Sequence, residues 1–81
     1  MPAHFRSRRH QRLAELLLQY REHAQLRQTD VAAQLGRYQP LITHMESGQR
    51  RIDVVELLDL AEIIGFDPHA LIDELVRTPK E

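Results

Sequence analysis

The sequence predicts an all-α fold, a compact five-helix bundle in a single domain. Three observations carry that prediction. Apolar residues recur at three- and four-residue spacing in five separate stretches. Capping residues, prolines and glycines stand where helices start and stop. Strand-like alternation, internal repeats and low-complexity stretches appear nowhere. At 81 residues the chain has room for one modest core and not for two.

Each element has its own signals. Ser7 is a candidate N-cap, without an acid at the capping-box position. Beyond it, "RLAELLLQYREHA" places Leu13, Leu16, Leu17, Tyr20 and Ala24 at helical spacing, which predicts helix 1 over residues 8–24. "QTDVAAQL" is helix 2, with Val31, Ala32 and Leu35 on one side and Gly36 as its stop. "QPLITHMES" is helix 3, ended by Gly48. In "DVVELLDLAEIIG", Asp53 and Glu56 form an acidic capping box and Gly65 closes helix 4. Asp67 as N-cap and Pro68 at the first helical position open helix 5 in "DPHALIDELV". Residues 1–7 are expected to form a flexible basic arm and residues 77–81 a flexible tail.

Composition excludes several classes. There is no cysteine, hence no disulfide framework and no cysteine metal site. No apolar run approaches the roughly 20 residues that span a bilayer. The basic start "MPAHFRSRRHQR" has no apolar signal core after it, so a cytoplasmic protein without a membrane partner is expected. The five histidines (4, 10, 23, 44 and 69) show no metal-ligand spacing, and no metal or other cofactor is expected. Neither a Ser/His/Asp set nor a phosphate-cradling glycine loop can be argued, so the chain is not read as an enzyme.

The net charge of −1 hides an asymmetry. Residues 1–51 carry nine arginines against four acids (Glu15, Glu22, Asp30 and Glu46), a formal +5. Residues 52–81 carry Arg77 and Lys80 against eight acids, a formal −6. A basic half of this kind suggests a polyanion partner, although ordinary solvated charge gives the same count.

Helix 3 narrows the choice. Leu41, Ile42 and Met45 share one face; Gln39, Pro40, Thr43, His44 and Ser47 share the other. An outward face of amide, hydroxyl and imidazole groups is suited to base edges in a major groove. Small Ala32 lets helices 2 and 3 approach closely, and Gly36 provides the tight turn between them.

With Gln28 opening helix 2, Val31-Ala32, Leu35-Gly36, Ile42, Met45 and "ESGQRR" after helix 3, the sequence resembles the phage-repressor helix-turn-helix family, the lambda-repressor, Cro-like or XRE-like proteins. The resemblance runs from about Leu13 to Leu75. It implies that helix 3 is a recognition helix for double-stranded DNA and that helix 2 crosses above the backbone. By the same resemblance, Gln39, Thr43 and His44 match base-contacting positions. Gln28 matches a phosphate-holding glutamine, and Ser47, Gln49, Arg50 and Arg51 match a loop that grips phosphates. Arg37 is read as a further phosphate contact, and Tyr38 either as another or as packing over the turn. Arg21 and Glu46 resemble an internal ion pair tying helix 1 to the end of helix 3.

The sequence also departs from the family pattern. Arg27 stands where Ser or Thr usually caps helix 2. Gln25 takes a place where glycine is usual, at a cost of about 1 kcal/mol if its φ is positive. Pro40 replaces a polar reader and biases Gln39 away from helical geometry, which predicts helix 3 starting at Pro40 with Gln39 as its cap. That weakens the case for a bidentate Gln39–adenine contact.

In helix 5, Leu71, Ile72, Leu75 and Val76 make a wide apolar stripe. One side is expected to cover the core beside Leu57, Leu60 and Ile64, and the other to meet a second subunit, as family resemblance implies. The expected function is a dimeric transcriptional regulator, a repressor reading a two-fold operator. An antitoxin that binds a protein toxin and autoregulates its operon is the alternative, with the acidic half as a docking surface. A purely protein-binding module leaves the basic helix 2–3 region unexplained.

Overall fold

The computed structural model describes residues 7–80. It contains α1 Arg8–His23, α2 Gln28–Leu35, α3 Gln39–Glu46, α4 Val54–Ile64 and α5 Pro68–Arg77. No strand occurs among the described residues.

The helix starts follow the capping residues. Ser7 accepts from the His10 amide at 3.0 Å, Asp53 from the Glu56 amide at 2.7 Å, and Asp67 from the His69 amide at 2.9 Å. The Glu56 carboxylate reaches back to the Asp53 amide at 3.2 Å, completing the acidic capping box. At α2 the capping residue is Arg27, whose side chain has no acceptor. Asp30 replaces the missing cap by accepting from the Arg27 amide at 2.8 Å, and its carboxylate also pairs with the Arg27 guanidinium.

Helix ends follow a second rule. The Gly36 and Arg37 amides bond to Ala33 and Ala32, and the Gly48 and Gln49 amides bond to Met45 and His44. Each pair is the reverse turn that a left-handed residue allows, here Gly36 at φ 74° and Gly48 at φ 79°. Helix α1 ends in the same turn, with Gln25 and Leu26 bonded to Glu22 and Arg21, yet its left-handed residue is Gln25 at φ 62°.

The core joins all five helices. Leu16 and Leu17 of α1, Val31 and Ala32 of α2, Ile42 and Met45 of α3, Leu57 and Leu60 of α4 and Leu71 of α5 are buried together. Tyr20 and Phe66 stack at its edge with centroids 4.5 Å apart. Helix α3 packs between α1 and α2, so its inward face is fixed from two sides.

Two boundaries differ from expectation. Helix α3 starts at Gln39, with Tyr38 as its extended N-cap at φ −85°, ψ 148°. Pro40 thus sits at the second helical position, where its missing amide has no intrahelical acceptor to lose. At the other end, Arg77 belongs to α5, and the chain after it returns along α1. Arg9 donates to the Thr78 carbonyl at 3.1 and 3.2 Å, and the Arg8 amide to the Lys80 carbonyl at 3.1 Å. Thr78 and Lys80, within the expected tail, are thus hydrogen-bonded to α1. Ser7, the last residue of the expected arm, is the α1 cap; residues 1–6 and 81 lie outside the described residues.

Gln25→Gly should relieve the left-handed strain and raise stability by about 0.5–1 kcal/mol, read as a higher midpoint in denaturant unfolding. An unchanged or lower midpoint would show that the Gln25 conformation is not strained.

Candidate nucleic-acid interface

The turn from Gly36 to Tyr38 reverses the chain between two eight-residue helices. Ile42 and Met45 anchor α3, 2% and 1% exposed. The opposite face presents Gln39, Pro40, Thr43, His44 and Ser47, all exposed, as their spacing predicts. Neither a lysine nor an acid points outward from this helix. Its one acid, Glu46, is turned inward against Arg21.

That ion pair roots a polar chain running out to the exposed face. Arg21 donates to both Glu46 oxygens, at 2.6 and 2.9 Å, and to the Leu26 carbonyl at 2.7 Å. Both side chains are largely buried, at 11% and 7% exposure. Donation to the Glu46 carboxylate raises the Arg21 pKa above its ordinary value, against the opposing effect of burial. Glu46 also accepts from the Gln28 amide nitrogen at 3.0 Å. The Gln28 carbonyl oxygen in turn accepts from Gln39 Nε2 at 2.8 Å and from Thr43 Oγ1 at 2.7 Å. The structure thus brings Gln28, Gln39 and Thr43, expected as separate contacts, into one hydrogen-bonded group. His44 stands beside them without a part in it.

The residues expected to grip phosphates divide. Gln49 and Arg51 are exposed in the loop after α3. Tyr38 is 85% exposed, so it does not pack over the turn. The Arg37 guanidinium is half exposed and lies 3.9 Å from Glu56. Arg50 is folded down: it makes two 2.9 Å hydrogen bonds to the Glu56 carboxylate and one of 2.8 Å to the Arg51 carbonyl. The Ser47 hydroxyl donates to the His44 carbonyl at 3.2 Å, which leaves it acceptor sites instead of the donor a phosphate needs.

Glu56 is the residue that sequence reasoning missed as part of this region. It was legible as a cap, and a carboxylate six residues after an arginine was the available signal for a second partnership. The Arg50 hydrogen bonds hold its carboxyl below the usual range, helped by the Asp53 amide and opposed by burial. Among the described residues no group of three His, Cys, Asp or Glu side chains could hold a metal ion, and no helix is long and apolar enough to cross a membrane.

Two short helices around a left-handed glycine, the second carrying an uncharged polar face, define a helix-turn-helix DNA-binding domain. The family model described as a helix-turn-helix domain matches residues 12–75, and the chain belongs to that family. Its XRE-like character is shown by solved structures. An XRE-family like protein from Pseudomonas syringae pv. tomato str. DC3000 is 43% identical, with 84% of this chain and 83% of that one covered and a TM-score of 0.78. The restriction-modification controller protein C.AhdI from Aeromonas hydrophila is 27% identical, with 74% and 91% covered and a TM-score of 0.68. Comparison with curated proteins gave no match. The fold is that of a DNA-binding transcriptional regulator.

Because the Glu56 pKa is depressed in the folded state, its contribution to stability is present above the unfolded pKa, about 4.3, and is lost as pH falls through the lower folded value. Glu56→Gln should therefore cost about 1–2 kcal/mol near neutral pH, and the gap to the parent should close below about pH 4. Urea unfolding of both proteins across that range checks it; a constant gap would mean that the loss is one of shape and not of charge.

Proposed function

We propose that the protein is a sequence-specific transcriptional repressor that binds duplex DNA as a homodimer, one α3 entering the major groove of each half-site. The observation that carries this reading is the outward face of α3. Gln39, Thr43 and His44 present hydrogen-bonding groups there without a fixed charge competing for phosphates. Arg37 stands at one end of the helix and Arg51 beyond the other, where side chains of a groove-inserted helix meet the backbone. Similarity to a restriction-modification controller supports a regulatory role. In this reading Gln28, Gln49 and Tyr38 add phosphate contacts. Arg50 contributes chiefly by shaping the loop, because its charge is already paired, and Ser47 contributes by closing the helix end.

The dimer is supported by apolar side chains that the core leaves uncovered. Ile72 and Val76, one turn apart on α5, are 44% and 69% exposed, and Val55 and Leu58 on α4 are 67% and 46% exposed. Leu71 and Leu75 face the core. The antitoxin reading draws on the same two helices, since Asp59, Glu62 and Asp73 are exposed on them. A toxin copurifying with the protein from its native host would favour it.

With two or three phosphate-facing cations per subunit, a dimer should show a log–log salt slope of roughly −4 to −5 on its selected duplex. His44→Ala should weaken that duplex by about 1–3 kcal/mol and leave scrambled DNA nearly unchanged. Arg51→Ala should weaken both alike and flatten the slope by about one unit per cation removed. Titration at several salt concentrations reads all three quantities. Equal loss on cognate and scrambled DNA in His44→Ala would remove α3 as the reader.

Sedimentation at micromolar concentration should give the dimer mass, and Ile72→Asp should shift it to monomer without loss of helical circular dichroism, because an unpaired charge would be buried at the subunit contact. A monomeric parent would overturn the dimer.

A further inference from the structure

We propose that the cleft between the start of α1, the loop after α3 and the end of α5 binds a small apolar carboxylate, which competes there with DNA for Arg51. The competition rests on the reading that Arg51 faces phosphate; the site itself does not.

The cleft has a volume of about 420 Å³, within the roughly 300–1,000 Å³ typical of small-ligand sites. It exists because the chain comes back onto its own beginning. Arg9 holds the Thr78 carbonyl and the Arg8 amide holds the Lys80 carbonyl. Leu13, Ile52 and Leu75 form an apolar floor, each partly buried and packed against the core. Arg9, Arg51 and Lys80 line the same space, and no acid does so among the described residues. The carboxylates that adjoin the cleft in sequence are engaged elsewhere. Asp53 caps α4, and Glu74 pairs with Arg12 and Arg77.

Arg9 shows why charge is left over. Its Nε and one terminal nitrogen donate to a carbonyl, which occupies protons and cancels no charge. An anion completes such a site, and the planar guanidinium matches a carboxylate. The floor asks for a second property. A bare anion leaves Leu13, Ile52 and Leu75 facing water, whereas an alkyl or aryl body covers them. The fitting ligand therefore carries one carboxylate on an apolar body. Arg51 belongs both to this cleft and to the loop set against phosphates in the proposed function. A carboxylate seated here draws on the charge that a phosphate needs.

His10 also borders the cleft and reports on its charge. Burial pushes its pKa down, its hydrogen bond with the Arg50 backbone opposes that, and the Arg51 charge adds to the lowering. An anion beside Arg51 offsets the last effect and raises the His10 pKa. An uncharged ligand leaves it low.

Sodium octanoate is titrated into the unbound protein and followed by NMR, with 1-octanol as the body alone and sodium acetate as the charge alone. Octanoate should shift the Leu13, Ile52 and Leu75 signals saturably. Half-saturation should fall at about 1 mM, as suits a ligand of about ten non-hydrogen atoms. Octanol and acetate should each bind about tenfold more weakly, and the His10 ring should titrate at higher pH with octanoate bound. Lys80→Gln and Arg51→Gln should each weaken octanoate by about two- to fivefold, the effect of an exposed ion pair. At saturation, selected and scrambled duplexes should both bind about three- to tenfold more weakly than in the same concentration of acetate, and Arg51→Gln should lose this sensitivity.

Three results overturn the site: octanoate shifts confined to Val55, Leu58, Ile72 and Val76, octanol binding as tightly as octanoate, or a His10 titration unmoved at saturation. Unchanged duplex affinity with the cleft saturated overturns the competition. A protein that binds no duplex removes the phosphate reading of Arg51, and the octanoate titration still decides the site.

Discussion

The outward face of α3 hangs from one buried guanidinium. Arg21 leaves the last turn of α1, fastens the α1–α2 connection through the Leu26 carbonyl, and grips the final turn of α3 through Glu46. The end of α1, the α1–α2 connection and the end of α3 are thereby set at fixed spacing. Hydrophobic contact alone does not do this, since Leu, Ile and Met side chains tolerate small shifts along a helix axis. A buried pair is weak evidence for stability, because desolvation offsets most of its attraction, but breaking it costs about 3–5 kcal/mol. Its value here is geometric. It defines where α3 ends, and through Gln28 where the hydrogen-bonding groups of its first turn point.

A second carboxylate organises the far side of the turn. Glu56 completes the α4 cap, holds Arg50 bidentate and approaches Arg37. Two of the arginines that make the N-terminal half basic are therefore tuned by an acid from the acidic half. The charge asymmetry is real in sequence but reduced in space at this point. The local field is weaker than counting suggests, so non-specific attraction of a polyanion is moderated there.

What the sequence made legible were features with a local cause. Ser7, Asp53 and Asp67 cap, and Gly36, Gly48 and Gly65 stop, because those residue types solve a backbone problem within four positions. The inward and outward faces of α3 follow from its period for the same reason. The structure adds to that reading where a neighbour's conformation or a partner elsewhere in the fold decides the matter. Pro40 alone argues for a later helix start, yet Tyr38 is extended and takes the cap, so Gln39 is helical. Arg50 reads as a phosphate ligand in the sequence, and the fold adds Glu56 as a partner beneath it. The end of the chain carries no apolar pattern, so nothing in it announces that Thr78 and Lys80 will meet Arg8 and Arg9, 69 positions away for the Arg9–Thr78 bond. Side-chain polarity at the site was least legible of all: Gln28, Gln39 and Thr43 each have several ways to bond, and only their assembly on Glu46 selects one.

The shortness of α2 and α3 gives that assembly its weight. Isolated helices below about 12–15 residues are marginal in water, and each of these has eight. Neither helix holds itself together; each takes its stability from Val31, Ala32, Ile42 and Met45 in the core and from the links at its ends. The outward face is therefore only as well defined as the inward one. The proposed role in a groove requires donors and acceptors placed to within about half an ångström, and no covalent device or long helix provides that stiffness among the described residues. It is supplied by a buried ion pair at the C-terminal end of α3, a left-handed glycine before its start, and an amide between them that connects the two ends of the outward face.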